Sequence, residues 1–163
     1  MAVVFLGLGS NQNAKTVLTS ALAALRASFG ELVLSPVYES ESVGFTGDNF
    51  LNMVVQIHTE LSVGKLLEAL RAIEDDHGRD RTQPKFSGRT LDIDILTYDA
   101  LVGCIDGVVL PRDEVLKNAF VLRPLADTWP SALHPELQRS YRALWAEYDQ
   151  TSQKLWPASL DGQ

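Results

Sequence analysis

The stretch Phe50-Leu51-Asn52-Met53-Val54-Val55-Gln56-Ile57-His58 decides the fold. Leu51, Met53, Val55 and Ile57 fall on one side of an extended chain and Asn52, Val54, Gln56 and His58 on the other, the period-two pattern of a strand with one face in a core. Toward the C-terminus, Ser62 can cap an amphipathic helix through Val63, Leu66, Leu67, Leu70 and Ile73, ending near Gly78. Residues 79–89 then read as a polar, basic loop and residues 90–98 as a further strand. Toward the N-terminus, residues 39–49 are rich in Ser, Gly and charge and read as a functional loop of about ten residues. Before it, residues 32–38 are extended, and Pro36 removes a ladder donor, which predicts a sheet edge or a bulge. Val17, Leu18, Ala21, Leu22, Leu25 and Phe29 recur at helical spacing, with Gly30 placed for a left-handed stop. The chain opens with an apolar run, residues 1–9, read as a buried strand that gives way to a turn over Gly7, Gly9 and Ser10-Asn11-Gln12-Asn13.

The resulting order, β-α-β-β-α-β, is the split β-α-β or ferredoxin-like arrangement: an α+β fold with an antiparallel sheet and both helices on one face. Residues 111–127 and 135–148 read as helical or irregular C-terminal additions, and the 163 residues as one domain, 1–163, without repeats or linkers. With 45% hydrophobic and 21% charged residues, the chain has the composition of an ordinary globular protein rather than a disordered one. The lone Cys104 excludes an intrachain disulfide and a Cys-rich zinc module, and is expected to be a small buried hydrophobe. A net charge of −7 argues against general affinity for nucleic acids. The apolar opening lacks a basic flank and is too short to span a bilayer, so a cytoplasmic location, with no membrane partner, is expected.

The chemistry concentrates in Arg79-Asp80-Arg81-Thr82-Gln83-Pro84-Lys85-Phe86-Ser87-Gly88-Arg89-Thr90-Leu91-Asp92-Ile93-Asp94-Ile95. On a strand, Asp92 and Asp94 project from one face with their Cα atoms roughly 6.5–7 Å apart, while Leu91, Ile93 and Ile95 face the core. Two adjacent carboxylates repel and call for a cation; oxygen-only ligation suits Mg²⁺, which completes its shell with phosphate oxygens and water. Two such ions about 3.5–4 Å apart can clamp both sides of a phosphoryl centre. Arg79, Arg81, Lys85 and Arg89 invert the local charge of an otherwise acidic chain, and guanidinium groups bind phosphates in bidentate fashion. The bland alternative, arginines pairing with Asp75, Asp76 and Asp80 on a solvated face, weakens once the loop is joined to the D-x-D strand. No dinucleotide or Walker motif is present, His58, His77 and His134 lack ligand spacing, and Ser10 and Ser87 lack triad partners.

Gly9-Ser10-Asn11, Phe50-Leu51-Asn52, Gly78-Arg79-x-Arg81, Gly88-Arg89-Thr90-Leu91-Asp92-Ile93-Asp94-Ile95 and Phe120-Val121-Leu122-x-Pro124-Leu125 together resemble the 6-hydroxymethyl-7,8-dihydropterin pyrophosphokinase family, in order from about Val3 to Pro135. The resemblance implies a ferredoxin-like fold, two Mg²⁺ ions, and transfer of pyrophosphate from ATP to the pterin hydroxymethyl group with release of AMP, in folate biosynthesis. It implies Asp92 and Asp94 as metal ligands and Arg79 and Arg89 as phosphate-contacting residues that assist transfer. ATP would meet Arg81, Lys85, Arg89, Ile95 and Arg112. The pterin would meet Ser40, Val43, Phe50, Asn52 and Phe120, the two rings stacking on the flat heterocycle. Phe86 stands where the family has a loop Trp. The partners implied are small molecules, and the expected state is a monomer.

Three places depart from the family pattern. Ser40-Glu41-Ser42-Val43-Gly44 replaces a Pro-Pro loop, Arg112 replaces a His that contacts ATP, and Asn118 replaces an Arg ahead of Phe120. Two readings follow: the active transferase, and a paralog that binds a pterin or nucleotide without turnover. A ferredoxin-like RNA-binding module is the third, and the −7 charge together with Asp92 and Asp94 argues against it.

Overall fold

The computed structural model describes residues 1–41, 49–78 and 91–160. Its central strand, β1 (Ala2–Ser10), pairs antiparallel with β4 (Phe50–Thr59) on one side and with β5 (Asp92–Tyr98) on the other. Next to β4 come β2 (Val33–Leu34) and β3 (Val37–Ser40), and β8 (Leu155–Ala158) closes the far edge, giving the order β5-β1-β4-β3-β8 with β2 also on β4. Pro36 sits at a bulge, one of the two outcomes expected of it: between Leu34–Val55 and Tyr38–Asn52 the pairing with β4 takes in one extra residue, and the strand divides into β2 and β3. Ser35 bridges the break, its amide donating to the Val54 carbonyl at 2.9 Å and its hydroxyl accepting from the Val54 amide at 2.8 Å.

The alternation read in β4 sorts the two faces. Leu51, Met53, Val55 and Ile57 join Leu6, Leu8, Ile93 and Ile95 in a core covered by α1 (Ala14–Phe29) and α2 (Val63–Asp76). Gly30 (φ 80°) ends α1 as expected, and the Ser62 hydroxyl caps α2 by accepting from the Lys65 amide at 3.3 Å. The opposite face presents Phe5, Val54 and Leu96 to α3 (Glu114–Lys117), α4 (Ala119–Thr128) and α5 (Tyr141–Glu147). Val115, Leu122, Leu125 and Tyr141 complete this second core. The result is the ferredoxin-like α+β fold, with the C-terminal helices filling the face that α1 and α2 leave free.

Several expectations change. Gly7 and Gly9 do not form a turn; β1 runs through both to Ser10, because each is paired on both sides. Cys104 is exposed, not buried: it lies on β6 (Gly103–Ile105), which pairs only with β7 (Val108–Leu110) in a two-stranded ribbon. Helix α5 is shorter than the 135–148 stretch suggested. Residues 155–158 form a strand although they include Pro157, since at an edge its missing donor costs nothing. Leu160, just beyond, is buried in the first core, so the tail is part of the fold.

Candidate active site

Register builds the site. Across the sheet, Asp92 pairs with Gly9, Gly9 with Asn52 and Asn52 with Tyr38; in the neighbouring row Asp94 pairs with Gly7 and Gly7 with Val54. Directly opposed residues of antiparallel strands project on the same side, here the side of the second core. The two carboxylates and the Asn52 carboxamide therefore share one face of the sheet, separated by the two glycines of β1, over which only the Asn52 and Leu96 side chains lie. Two strand spacings, about 10 Å, separate the Asp92 and Asn52 backbones.

Gly9 is required by this arrangement: a Cβ there would lie 2.6 Å from Asn52 Oδ1. At Gly7 the nearest atom would be Leu96 Cδ2 at 3.3 Å, the tip of a side chain that a register shift in β5 turns over the strand. Asn52 is buried, and among the described residues its carboxamide has no hydrogen-bond partner, a state that favours a polar ligand. Tyr38 walls the end of the row. Its hydroxyl donates to Asp127, the Arg123 guanidinium lies 4.6 Å over its ring, and burial, reinforced by Asp127, pushes its pKa up to about 12.

Among the described carboxylates Asp94 is the most perturbed. Burial pushes its carboxyl up to about 6; Arg112 opposes the shift, while Glu114, Asp92 and Glu74 add to it. Arg112 Nη2 lies 3.8 Å from Asp94 Oδ1 and 2.8 Å from Glu114 Oε1. Glu74, fully buried on α2, accepts from the Ile93 amide at 2.8 Å and from Arg71 at 3.0 Å. It thus fixes the edge strand β5 at the residue between the two aspartates. Among the described residues no group of three His, Cys, Asp or Glu converges to hold a metal alone. Asp92 and Asp94 offer two hard oxygen donors, which fits an ion that takes its remaining ligands from phosphate and water.

The other expected site residues fall as follows. Phe50 lies on the Asn52 face of β4, two residues away, and pairs with Ser40 of β3. Phe120 is half-buried at the start of α4, against the second core. Ile95 has its side chain in the first core, paired with Leu6, so only its backbone is available to a nucleotide. Val43, Arg79, Arg81, Lys85, Phe86 and Arg89 lie outside the described residues. Asn118 anchors the C-terminal tail, its Oδ1 accepting from Gln153 at 3.2 Å, and Gln153 Oε1 in turn accepts from the Ala119 amide at 2.8 Å. The tail is thereby tied to the start of the helix that carries Phe120. A cavity of about 400 Å³ lined by Arg123, Trp145, Lys154 and Trp156 lies toward β8, the opposite sheet edge from β5.

Sequence reasoning missed Glu74, Glu114, Tyr38 and the place of Gly7 across from Asp94. Two signals were present: glycines two apart inside an apolar strand, which mark a close approach, and a Glu on the apolar face of α2.

Residues 5–130 match the model of the family described as 7,8-dihydro-6-hydroxymethylpterin-pyrophosphokinase. A 2-amino-4-hydroxy-6-hydroxymethyldihydropteridine pyrophosphokinase of Bacillus subtilis is 32% identical over 158 residues, covering 94% of this chain and 90% of its own. Its Methylorubrum extorquens counterpart is 40% identical over 134 residues, covering 80% and 84%. Among solved structures, a Plasmodium falciparum HPPK-DHPS with pterin and p-hydroxybenzoate superposes with a TM-score of 0.72 at 16% identity. That match covers 90% of this chain but only 43% of the longer protein, and the likeness is one of fold.

Proposed function

The chain belongs to the 7,8-dihydro-6-hydroxymethylpterin-pyrophosphokinase family, and from that premise we propose how its own residues carry out pyrophosphate transfer to the hydroxymethyldihydropterin in folate biosynthesis. The donor is ATP. The pterin hydroxymethyl oxygen attacks the β-phosphorus, the bond from that phosphorus to the oxygen bridging to the α-phosphorus breaks, and AMP leaves while the hydroxyl proton is lost.

The observation that carries the assignment is the row Asp92–Gly9–Asn52, carboxylates at one end and a carboxamide at the other. Asn52 hydrogen-bonds the pterin edge, and Phe50 and Phe120 stack on its faces, with Ser40 and Val43 lining the rim. Gly9, having no side chain, lets the Asn52 carboxamide lie over β1 on the side that faces the two carboxylates. Asp92 and Asp94 would hold Mg²⁺, two ions in the full complex, which when bound would supply charge neutralisation for the triphosphate and for the transition state. Arg79, Arg81, Lys85, Arg89 and Arg112 supply the remaining positive charge, and Ile95 contributes through its backbone. No covalent nucleophile is needed, because positioning and charge neutralisation carry this class of reaction.

The test is AMP formation from protein, MgATP and 6-hydroxymethyl-7,8-dihydropterin. Turnover is expected, and Asp92→Ala or Asp94→Ala should abolish it. Absence of AMP above background at high enzyme concentration would reject the reading in favour of binding without turnover.

A further inference from the structure

Arg112 stands in an unusual position for a phosphate-binding residue. Its amide donates to the Leu96 carbonyl at 2.8 Å, which ties its backbone to β5 two residues from Asp94. Its guanidinium makes one short contact, Nη2 to Glu114 Oε1 at 2.8 Å, and a longer one to Asp94 Oδ1 at 3.8 Å, beyond hydrogen-bond length. Its Nε is buried and has no hydrogen-bond partner. A guanidinium carries five N–H donors in a rigid fork, and leaving a buried one unmet is unfavourable. Arg112 is thus the counter-ion of Asp94, held there by Glu114, with unspent capacity to bind a further anion.

We propose that Arg112 makes this site take its metal only together with the nucleotide: in the empty site its guanidinium occupies the field of Asp94, and it is released from that carboxylate when a metal–nucleotide complex brings both a replacement cation and a phosphate for the fork. This rests on the assignment of Asp92 and Asp94 as metal ligands. A divalent ion arriving alone meets the positive charge that Glu114 holds beside Asp94, and repulsion opposes it. An ion arriving on a triphosphate delivers acceptor oxygens that match the fork in bidentate fashion and complete the unpaired Nε. The two ligands are therefore positively coupled through a residue of this chain, at the place where the family pattern has a His.

The experiment measures Mn²⁺ alone, by the loss of the free-ion electron paramagnetic resonance signal, and Mn²⁺ with α,β-methylene-ATP, by calorimetry. Arg112→Gln should bind Mn²⁺ alone about fivefold more tightly and the Mn²⁺–nucleotide complex about tenfold more weakly, a change of opposite sign in the two arms. Weakening in both arms, or unchanged binding of Mn²⁺ alone, overturns the proposal, since a merely structural Arg112 gives one or the other. Arg112→Met, which removes the charge and adds no hard ligand for Mn²⁺, should also bind Mn²⁺ alone more tightly than the parent, and serves if the Gln variant does not fold. Asp94→Asn separates the two levels. If it leaves Mn²⁺–nucleotide binding intact, the metal assignment itself is wrong; if it removes that binding while Arg112→Gln shows no crossing, only the role of Arg112 falls.

Discussion

Replacing Gly9 by Ala probes this face of the sheet directly. The added Cβ would stand 2.6 Å from Asn52 Oδ1, whereas carbon–oxygen contacts settle at about 3.3 Å or beyond, an overlap of about 0.7 Å. β1 cannot retreat, because β4 and β5 hold it on both sides, so the buried Asn52 side chain must turn away. Overpacking of this size costs about 1–3 kcal/mol, and the displaced amide should raise the pterin KM. Gly7→Ala is the control. Its Cβ meets only the end of the Leu96 side chain at 3.3 Å, and the gain from replacing a strand glycine, about 0.5–1 kcal/mol, offsets much of that crowding. Urea unfolding of Gly9→Ala, Asn52→Ala and the double variant closes a cycle: in the Asn52→Ala background the Gly9 substitution should cost almost nothing. An equal loss in both backgrounds would refute the steric argument, as would an unchanged pterin KM in Gly9→Ala.

Asp94 gives a pH dependence of definite sign. Its carboxyl, raised from 3.8 to about 6, holds a proton in the folded protein at pH values where the unfolded chain has lost it. Metal-free stability should therefore fall as pH rises from about 4 to about 6, and the penalty is complete above that. The shift converts to at most about 3 kcal/mol, discounted to about 1–2 because a third of the side chain reaches solvent. Asp94→Asn should accordingly be more stable than the parent at pH 7 in chelator, though inactive; equal or lower stability in urea would count against it. Leu160→Ala should cost about 2–4 kcal/mol in the same assay, since this residue is 2% exposed in the first core; a neutral result would show the tail to be dispensable.

The elements legible in the sequence were those whose signal is local. Alternation in residues 50–58, helical spacing before Gly30 and after Ser62, and the bulge at Pro36 each follow from side-chain period or a missing donor. The D-x-D pair was equally plain, because nothing in strand propensity asks for two carboxylates on one face. Cys104 and the turn expected at Gly7 and Gly9 were misread, and β8 carried no readable signal, for a common reason. Whether a ribbon stays uncovered, whether an edge tolerates Pro157, and whether glycines bend or stay extended all depend on neighbours distant in the chain.

By itself, then, the sequence determined the order of strands and helices up to residue 98, the two-sided character of β4 and the acidic residues that carry the chemistry. Tertiary structure decided what lies beside them. Antiparallel register set Gly9 between Asp92 and Asn52, although 40 or more residues separate the members of the row in the chain. Packing of α2 brought Glu74 to the amide of Ile93, and the segment after β7 brought Arg112 to Asp94. Such juxtapositions have no local signature, because register and packing are fixed by the burial of whole faces, and a side chain's charge environment follows from that burial rather than from its neighbours in sequence.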